Sequence, residues 1–148
     1  MNLLGLMEVS GSALQAERIR AEVVAANMAN AETTRTADGG PYRRQEVVFS
    51  SEAPTSTFAS RLSLASGQGE TPVGGVRVSA VVTDPSDPLR RFDPGNPDAD
   101  KDGYVAYPDI NPLTEMVDLM GATRAYGLNS SAVQAEKSMV SSSLDILK

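Results

Sequence analysis

One segment, 98–109, has the residue types and the spacing of a calcium-binding loop. Its carboxylates fall at the first, third, fifth and twelfth positions, as Asp98, Asp100, Asp102 and Asp109, and Gly103 occupies the sixth. Calcium prefers oxygen ligands, and EF-hand loops present them at these positions around a glycine turn. The spacing alone therefore favours a cation site, although Asp109 reaches less far than the glutamate usual at the twelfth position.

The surroundings of this loop argue against a calcium site. An EF-hand needs a helix on each side, whereas Pro94, Pro97 and Pro108 bracket the loop and the strand-like segment 104–107 lies inside it. The simpler interpretation is an acidic turn that feeds a strand, with Asp side chains bonding to nearby backbone. A small calcium-binding module that uses the 98–109 loop stays open as the alternative function.

The chain lacks the residues that most other common catalytic and metal-binding sites need. Histidine and cysteine are both absent, which excludes Ser-His triads, thiol nucleophiles, disulfides and zinc-finger or haem ligation. We therefore expect no enzymatic activity and no cofactor. A formal charge of −6 argues against nucleic acid and against an anionic membrane surface, and no apolar run is long enough to enter and span a bilayer. The expected partner is protein.

Proline divides the chain into three parts. All nine prolines lie between Pro41 and Pro112, and proline inside a helix costs about 3 kcal/mol. Both ends are therefore free to form long helices, and the centre is not. The predicted fold class is α+β, with long N- and C-terminal helices that pair as a coiled-coil-like bundle beside a small central β-rich region. The predicted divisions are 1–33, 34–111 and 112–148.

Apolar residues recur every seven positions in both terminal segments, which predicts an apolar stripe along each helix. Asn111 is a good N-cap, Pro112 suits a first helical turn and Glu115 complements the helix dipole, so the second helix should begin there. A second apolar strip on that helix contains Leu128, Ala132, Ala135, Met139 and Ile146.

The stripes must pack against something, because one isolated helix cannot hide apolar surface from water. An intramolecular hairpin that completes one core is the simpler arrangement, but the length of the second helix and its second strip favour contacts with other subunits as well. The residues expected at the assembly interface are Leu4, Met7, Leu14, Met28, Met116, Leu119, Tyr126, Val133, Val140 and Leu147.

Alternating apolar residues predict four strands in the centre, at 46–49, 76–83, 89–92 and 104–107. Between the first two strands lies a segment, about 50–75, that is rich in Ser, Thr, Ala and Gly. This composition predicts a flexible insertion.

A recognisable motif lies at the end of the N-terminal segment. Residues 26–33 read Ala-Asn-Met-Ala-Asn-Ala-Glu-Thr, which resembles the Asn-x-Ala-Asn-x-x-Thr signature closing the N-terminal helix of bacterial flagellar rod and hook proteins. The matching residues are Asn27, Ala29, Asn30 and Thr33. Further segments similar to this family are 10–14, 40–49, 75–78, 93–105 and 115–126, so the resemblance covers nearly the whole chain except about 50–74.

The resemblance implies a structural subunit of the flagellar basal-body rod, the drive shaft that transmits motor torque across the periplasm. Members of this family assemble helically through their terminal helices, which implies contacts with copies of the chain, with proximal and distal rod subunits and with the adaptor between the export gate and the MS ring. It also implies passage through the flagellar type III export apparatus without a cleaved signal peptide. Asn27 and Asn30 would have a structural role, bonding exposed backbone groups where the first helix stops.

Overall fold

The computed structural model describes residues 3–52 and 74–146, and in this part of the chain it contains two long helices and four strands. Helix α1 spans Leu3–Ala29 and helix α2 spans Pro112–Ile146. The strands are β1 (Gln45–Glu52), β2 (Gly75–Thr83), β3 (Leu89–Phe92) and β4 (Tyr104–Tyr107). The predicted α+β fold class is confirmed. Most of the insertion expected at 50–75 lies outside the described residues.

The start of α2 is set by the predicted cap. The Leu113 backbone N–H donates to Asn111 Oδ1 at 3.0 Å, and the Glu115 N–H donates to the Asn111 carbonyl oxygen at 3.1 Å. Asn111 thus satisfies N–H groups that the first turn would otherwise leave unpaired. From Pro112 the helix is continuous over 35 residues, which is roughly 52 Å at 1.5 Å per residue.

The centre of the chain forms two hairpins rather than one sheet. β1 and β2 pair antiparallel from Gln45 opposite Thr83 onwards, with a bulge after Val48 that shifts the register. β3 and β4 pair antiparallel with Leu89 opposite Tyr107. Each pair is a separate two-stranded sheet among the described residues. Isolated two-stranded sheets are marginal in water, so each hairpin depends on what it packs against.

α1 packs against both α2 and the first hairpin. Asn27, near the end of α1, contacts Glu115 near the start of α2, and Arg20 lies 3.5 Å from Asp118, so the two helices run antiparallel. On another side of α1, Ser12 Oγ accepts a 3.0 Å hydrogen bond from the Val76 N–H of β2. α1 is therefore the element that positions the other two.

The described core is small and mixed in polarity. Between the helices the buried apolar residues are short ones: Ala16, Val24 and Ala122. Four polar side chains are buried as well: Ser10, Asn27, Glu115 and Glu136. Many large apolar residues of α2 are exposed instead, so the pairing of α1 with α2 leaves much of α2's apolar surface in water.

The second hairpin has its own small core and is tied to the segment that follows α1. Val105, Tyr107 and Ile110 are buried. Thr34 Oγ1 donates a 2.8 Å hydrogen bond to Asp98 Oδ2, which fixes the loop between β3 and β4 to that segment. None of the described helices is long and apolar enough to cross a membrane.

Candidate functional site

Asn27 joins α1 to the start of β1. Its Nδ2 donates to the Gln45 carbonyl oxygen at 2.8 Å, and its Oδ1 accepts from the Gln45 N–H at 2.9 Å. These are the two bonds that a neighbouring strand would make with Gln45. Oδ1 also accepts from the Tyr42 hydroxyl at 3.1 Å. The Asn27 side chain that makes these bonds is buried, since the residue is 1% exposed.

Glu115 extends this arrangement to α2. Its Oε2 accepts a 3.1 Å hydrogen bond from Asn27 Nδ2, and its Oε1 accepts from Arg44 Nε at 2.7 Å. Arg44 also contacts Glu46 and lies 3.9 Å from Asp118. The Glu115 side chain is 1% exposed, and a buried carboxylate is tolerated only when it is paired and hydrogen-bonded. We call Asn27, Tyr42, Arg44, Gln45 and Glu115 the joint.

The electrostatics of the joint favour this arrangement. The hydrogen bond to Glu115 is the largest of the effects that raise the pKa of Arg44 above its ordinary value. Burial, with the Glu115 charge adding to it, raises the pKa of Tyr42, so its hydroxyl stays protonated and can donate to Asn27. The joint therefore contains one neutral hydroxyl, one amide and one ion pair.

Asn30 and Thr33 shape the chain as it leaves α1. Asn30 Nδ2 donates to the Ala26 carbonyl oxygen at 2.9 Å, and its Oδ1 accepts from Thr33 Oγ1 at 3.1 Å. The Thr33 carbonyl oxygen then accepts from the Tyr42 N–H at 3.0 Å. Asn30 thus bonds a backbone group at the end of the helix, whereas Asn27 bonds the strand. Ala29 is exposed at the last helical position.

The residues expected at the assembly interface fall into two environments. Leu119, Val133 and Val140 lie on the helix face of Ala122, which is fully buried, and all three are partly buried. Met116 and Tyr126 are 50% and 43% exposed. On α1 the partly buried members are Met7, Leu14 and Met28. Leu147 and the side chain of Leu4 lie outside the described part of the chain.

A further apolar surface on α2 points away from α1. Leu113, Val117, Met120 and Leu128 are 70%, 56%, 63% and 68% exposed. Their spacing of three, four and eight residues places them along one side of the helix, opposite the face of Ala122. We call this side, with Arg124 in its middle, the outward strip. The heptad pattern missed its first three apolar residues, although their spacing could have revealed them.

Two carboxylates of the 98–109 loop, those of Asp98 and Asp100, are bonded to other groups of the protein. Asp98 accepts from Thr34 and faces Arg35. Asp100 Oδ1 accepts 2.9 Å hydrogen bonds from the Asp102 and Tyr104 N–H groups, and its other oxygen pairs with Arg90. Among the described residues no group of three or more acidic side chains could hold a metal ion. The geometry of this loop is therefore that of an acidic turn followed by a strand.

Comparison with protein families identifies both ends of the chain. Residues 7–35 match the family model described as flagella basal body rod protein, and this range holds Asn27, Asn30 and Thr33. Residues 101–146 match the model described as the C-terminal region of flagellar basal body rod FlgEFG proteins. This second range holds Glu115 and the outward strip.

Individual relatives align over the whole length. The flagellar basal-body rod protein FlgC of Bacillus subtilis is 43% identical over 96% of both chains. That of Borreliella burgdorferi is 39% identical over 100% of this chain and 99% of its own. The chain belongs to the FlgC family of flagellar basal-body rod proteins. The Salmonella typhimurium FlgC is 37% identical over 99% of this chain and 98% of its own.

Membership of the FlgC family confirms the resemblance drawn from residues 26–33 and makes the chain a structural subunit of the bacterial flagellar basal-body rod. Nothing in the 98–109 loop supports the calcium-binding alternative. The joint and the outward strip are therefore features of a rod protein, and we interpret them as parts of an assembling subunit.

Proposed function

We propose that this chain is a non-enzymatic subunit that assembles with copies of itself and with other rod proteins into the helical shaft that carries motor torque. Its neighbours are proximal and distal rod subunits and the adaptor between the export gate and the MS ring. It reaches the rod through the flagellar type III export apparatus. The terminal helices make the contacts between subunits.

The observation that carries this proposal is the polarity of α2. Its large apolar side chains at 113, 117, 120 and 128 are more than half exposed, while Glu115 and Glu136 on the opposite side are buried. Apolar surface left in water costs roughly 25 cal/mol per Å², so burial of this side by a neighbouring helix would favour association. The expected interface residues Met116 and Tyr126 are exposed as well and offer neighbouring subunits further apolar surface.

The joint supports a mechanical role. It ties α1, β1 and α2 together through hydrogen bonds, so that a force on either helix reaches the first hairpin through short contacts. A buried hydrogen-bond network whose members are all bonded is rigid, so it transmits force with little deformation. A shaft made of such subunits would owe its stiffness to packing between helices, since the chain contains no cysteine.

The test replaces one exposed apolar residue of α2. Met120→Asp places a charge on a surface that is 63% exposed in the free chain, so the variant should fold normally. In cells that lack the native chain, we expect it to abolish rod formation and swimming, because a charge buried without a partner costs several kcal/mol. Met120→Leu is the matched control and should swim. Normal rods with Met120→Asp would contradict the proposal.

A further inference from the structure

A groove lies between the two helices on the side that carries Tyr126. It has a volume of about 210 Å³ and is lined mainly by apolar atoms. The lining residues are Glu17, Arg18, Ala21, Ala122, Thr123 and Tyr126. Two of the lining residues are alanines, so α1 and α2 leave room there that no larger side chain fills. Tyr126 remains 43% exposed beside it.

Glu17 gives the groove a weakly paired carboxylate. Its Oε2 is buried and has no hydrogen-bond partner, and the nearest cation, Arg20 Nη1, is 3.7 Å away. Arg20 also faces Asp118, and Asp118 in turn faces Arg44. Four carboxylates, those of Glu17, Glu46, Glu115 and Asp118, thus share the two guanidinium groups of Arg20 and Arg44. The guanidinium group of Arg18, which also lines the groove, is paired with Glu22 at 2.9 Å. The groove is therefore suited to an apolar side chain accompanied by one more cation.

The outward strip has this composition. Arg124 lies four residues after Met120 and four before Leu128, so the three side chains follow one another along one side of α2. Arg124 is exposed, and it makes no hydrogen bond or ion pair with any described residue. The outward strip thus exposes a cation between two large apolar side chains. The charge of this cation is opposite to that of the Glu17 carboxylate in the groove.

We propose that the outward strip of one copy docks into the groove of a second copy, with Met120 or Leu128 against Ala21 and Ala122 and with Arg124 bonded to the Glu17 carboxylate. This inference rests on the proposed function and names the partner surface for it. The occupant is α2 of another copy of this chain, because the strip would place apolar side chains on apolar lining and a cation beside a carboxylate.

The two surfaces lie on different sides of α2, so the contact is heterologous. A heterologous contact whose rotation does not close produces a helical row of subunits rather than a symmetric dimer. Each copy would present its strip to one neighbour and its groove to another. This arrangement accounts for subunits that add in one direction along or around a shaft.

Charge reversal tests the pairing in cells that lack the native chain. Arg124→Glu and Glu17→Arg should each reduce incorporation into isolated basal bodies by about tenfold or more, because like charges then face each other. The double variant restores the opposite charges and should recover incorporation to within about threefold of the native chain. A double variant as poor as the worse single variant would overturn the pairing.

A second measurement uses the absence of native cysteine. Cells would express one copy with Glu17→Cys and another with Arg124→Cys, and isolated basal bodies would be oxidised. We expect mixed dimers, and far fewer when Gln134→Cys replaces Arg124→Cys as the matched exposed control. Intact basal bodies that contain both variants but give no mixed dimer would overturn the docking and leave the proposed function standing. Failure of the native chain to enter basal bodies would overturn the proposed function instead.

Discussion

Asn27 and Glu115 are separated by 88 residues in the sequence, and in the structure Asn27 Nδ2 donates a 3.1 Å hydrogen bond to Glu115 Oε2. Both residues are 1% exposed. Each residue has a second partner in the central region, Gln45 for Asn27 and Arg44 for Glu115. The contact therefore joins the end of one terminal helix, the start of the other and the first strand at a single point.

Removing the carboxylate of Glu115 should destabilise the chain. Glu115→Ala leaves the Arg44 Nε donor and one Asn27 N–H without this partner and opens a cavity, so we expect the free energy of unfolding to fall by about 2–4 kcal/mol. Urea denaturation followed by circular dichroism measures the change. Glu46→Ala, which removes a more exposed partner of Arg44, is the control and should change stability by less than about 1 kcal/mol. Equal effects of the two variants would contradict the role assigned to Glu115.

A glycine is required at 103, where the loop between β3 and β4 ends. Gly103 has φ +80°, and a Cβ there would lie 2.8 Å from Phe92 Cε2. Gly103→Ala should therefore cost about 1–3 kcal/mol and loosen the second hairpin, because a left-handed residue with a side chain is strained and Phe92 must move. Hydrogen exchange of the Val105 amide reports this directly.

Gly95→Ala in the same loop provides the comparison. A Cβ at 95 would have only one neighbour within 4 Å, Asp93 Oδ1 at 3.8 Å, and the backbone there is not left-handed. This variant should keep the native exchange rate at Val105 within about threefold. Similar losses of protection at Val105 in Gly95→Ala and Gly103→Ala would show that the cost at 103 does not come from its left-handed backbone and its contact with Phe92.

Glu136 should destabilise the free chain. It is 7% exposed on the side of α2 that faces α1, and its Oε2 has no hydrogen-bond partner. Glu136→Gln removes the charge while keeping the size, so we expect the free energy of unfolding to rise by about 1–2 kcal/mol at neutral pH. Glu8→Gln on the exposed side of α1 should leave it unchanged. A loss of stability in Glu136→Gln would mean that the carboxylate has a favourable partner.

The second hairpin should weaken in acid. Hydrogen bonds from the backbone N–H of Tyr104, then of Asp102, together with Arg90, lower the pKa of Asp100 below its ordinary value. The folded pKa is thus below the unfolded one, so this contribution to stability is present above the unfolded value, about 3.9, and is lost as the pH falls below it. The Tyr104 amide signal followed by NMR against pH measures the step.

Asp100→Asn should remove this acid step, since an amide does not titrate. Asp102→Asn is the control, because the Asp102 carboxylate makes no hydrogen bond with the described residues, and it should keep the step. An unchanged pH profile in Asp100→Asn would assign the acid sensitivity of the hairpin to another group.

The elements could be predicted because their signals are local. The absence of proline at both ends and the Asn111 cap define α1 and α2, and alternation defines β3 and β4, whose bounds match the predicted 89–92 and 104–107. The acidic spacing of 98–109 was ambiguous by itself, since an Asx-rich turn and a cation loop need the same residues. Only the three-dimensional positions of the groups bonded to these carboxylates distinguish an Asx-rich turn from a cation loop.

The joint could not be predicted, because its bonds connect segments that sequence patterns treat separately. In the sequence, Glu115 is explained by its favourable interaction with the helix dipole. That explanation gives no sign that its side chain is buried and bonded to Asn27 and Arg44. The heptad pattern also does not reveal the small and polar residues of the contact between the helices. Ala122 and Glu136 face α1 and allow close approach, and Met120 is left outside. Which side of α2 is buried depends on tertiary packing.

Asn27 stands where a third strand would begin, since it engages the N–H and the carbonyl oxygen of Gln45 together. The first hairpin therefore cannot slide along α1 without breaking both bonds in the same step. A force along the axis of α1 would load these two hydrogen bonds in shear. The force would therefore pass from α1 to β1 through Asn27 and not through the irregular segment 30–44. The side-chain amide of Asn27 thus fixes the position of the first hairpin along α1.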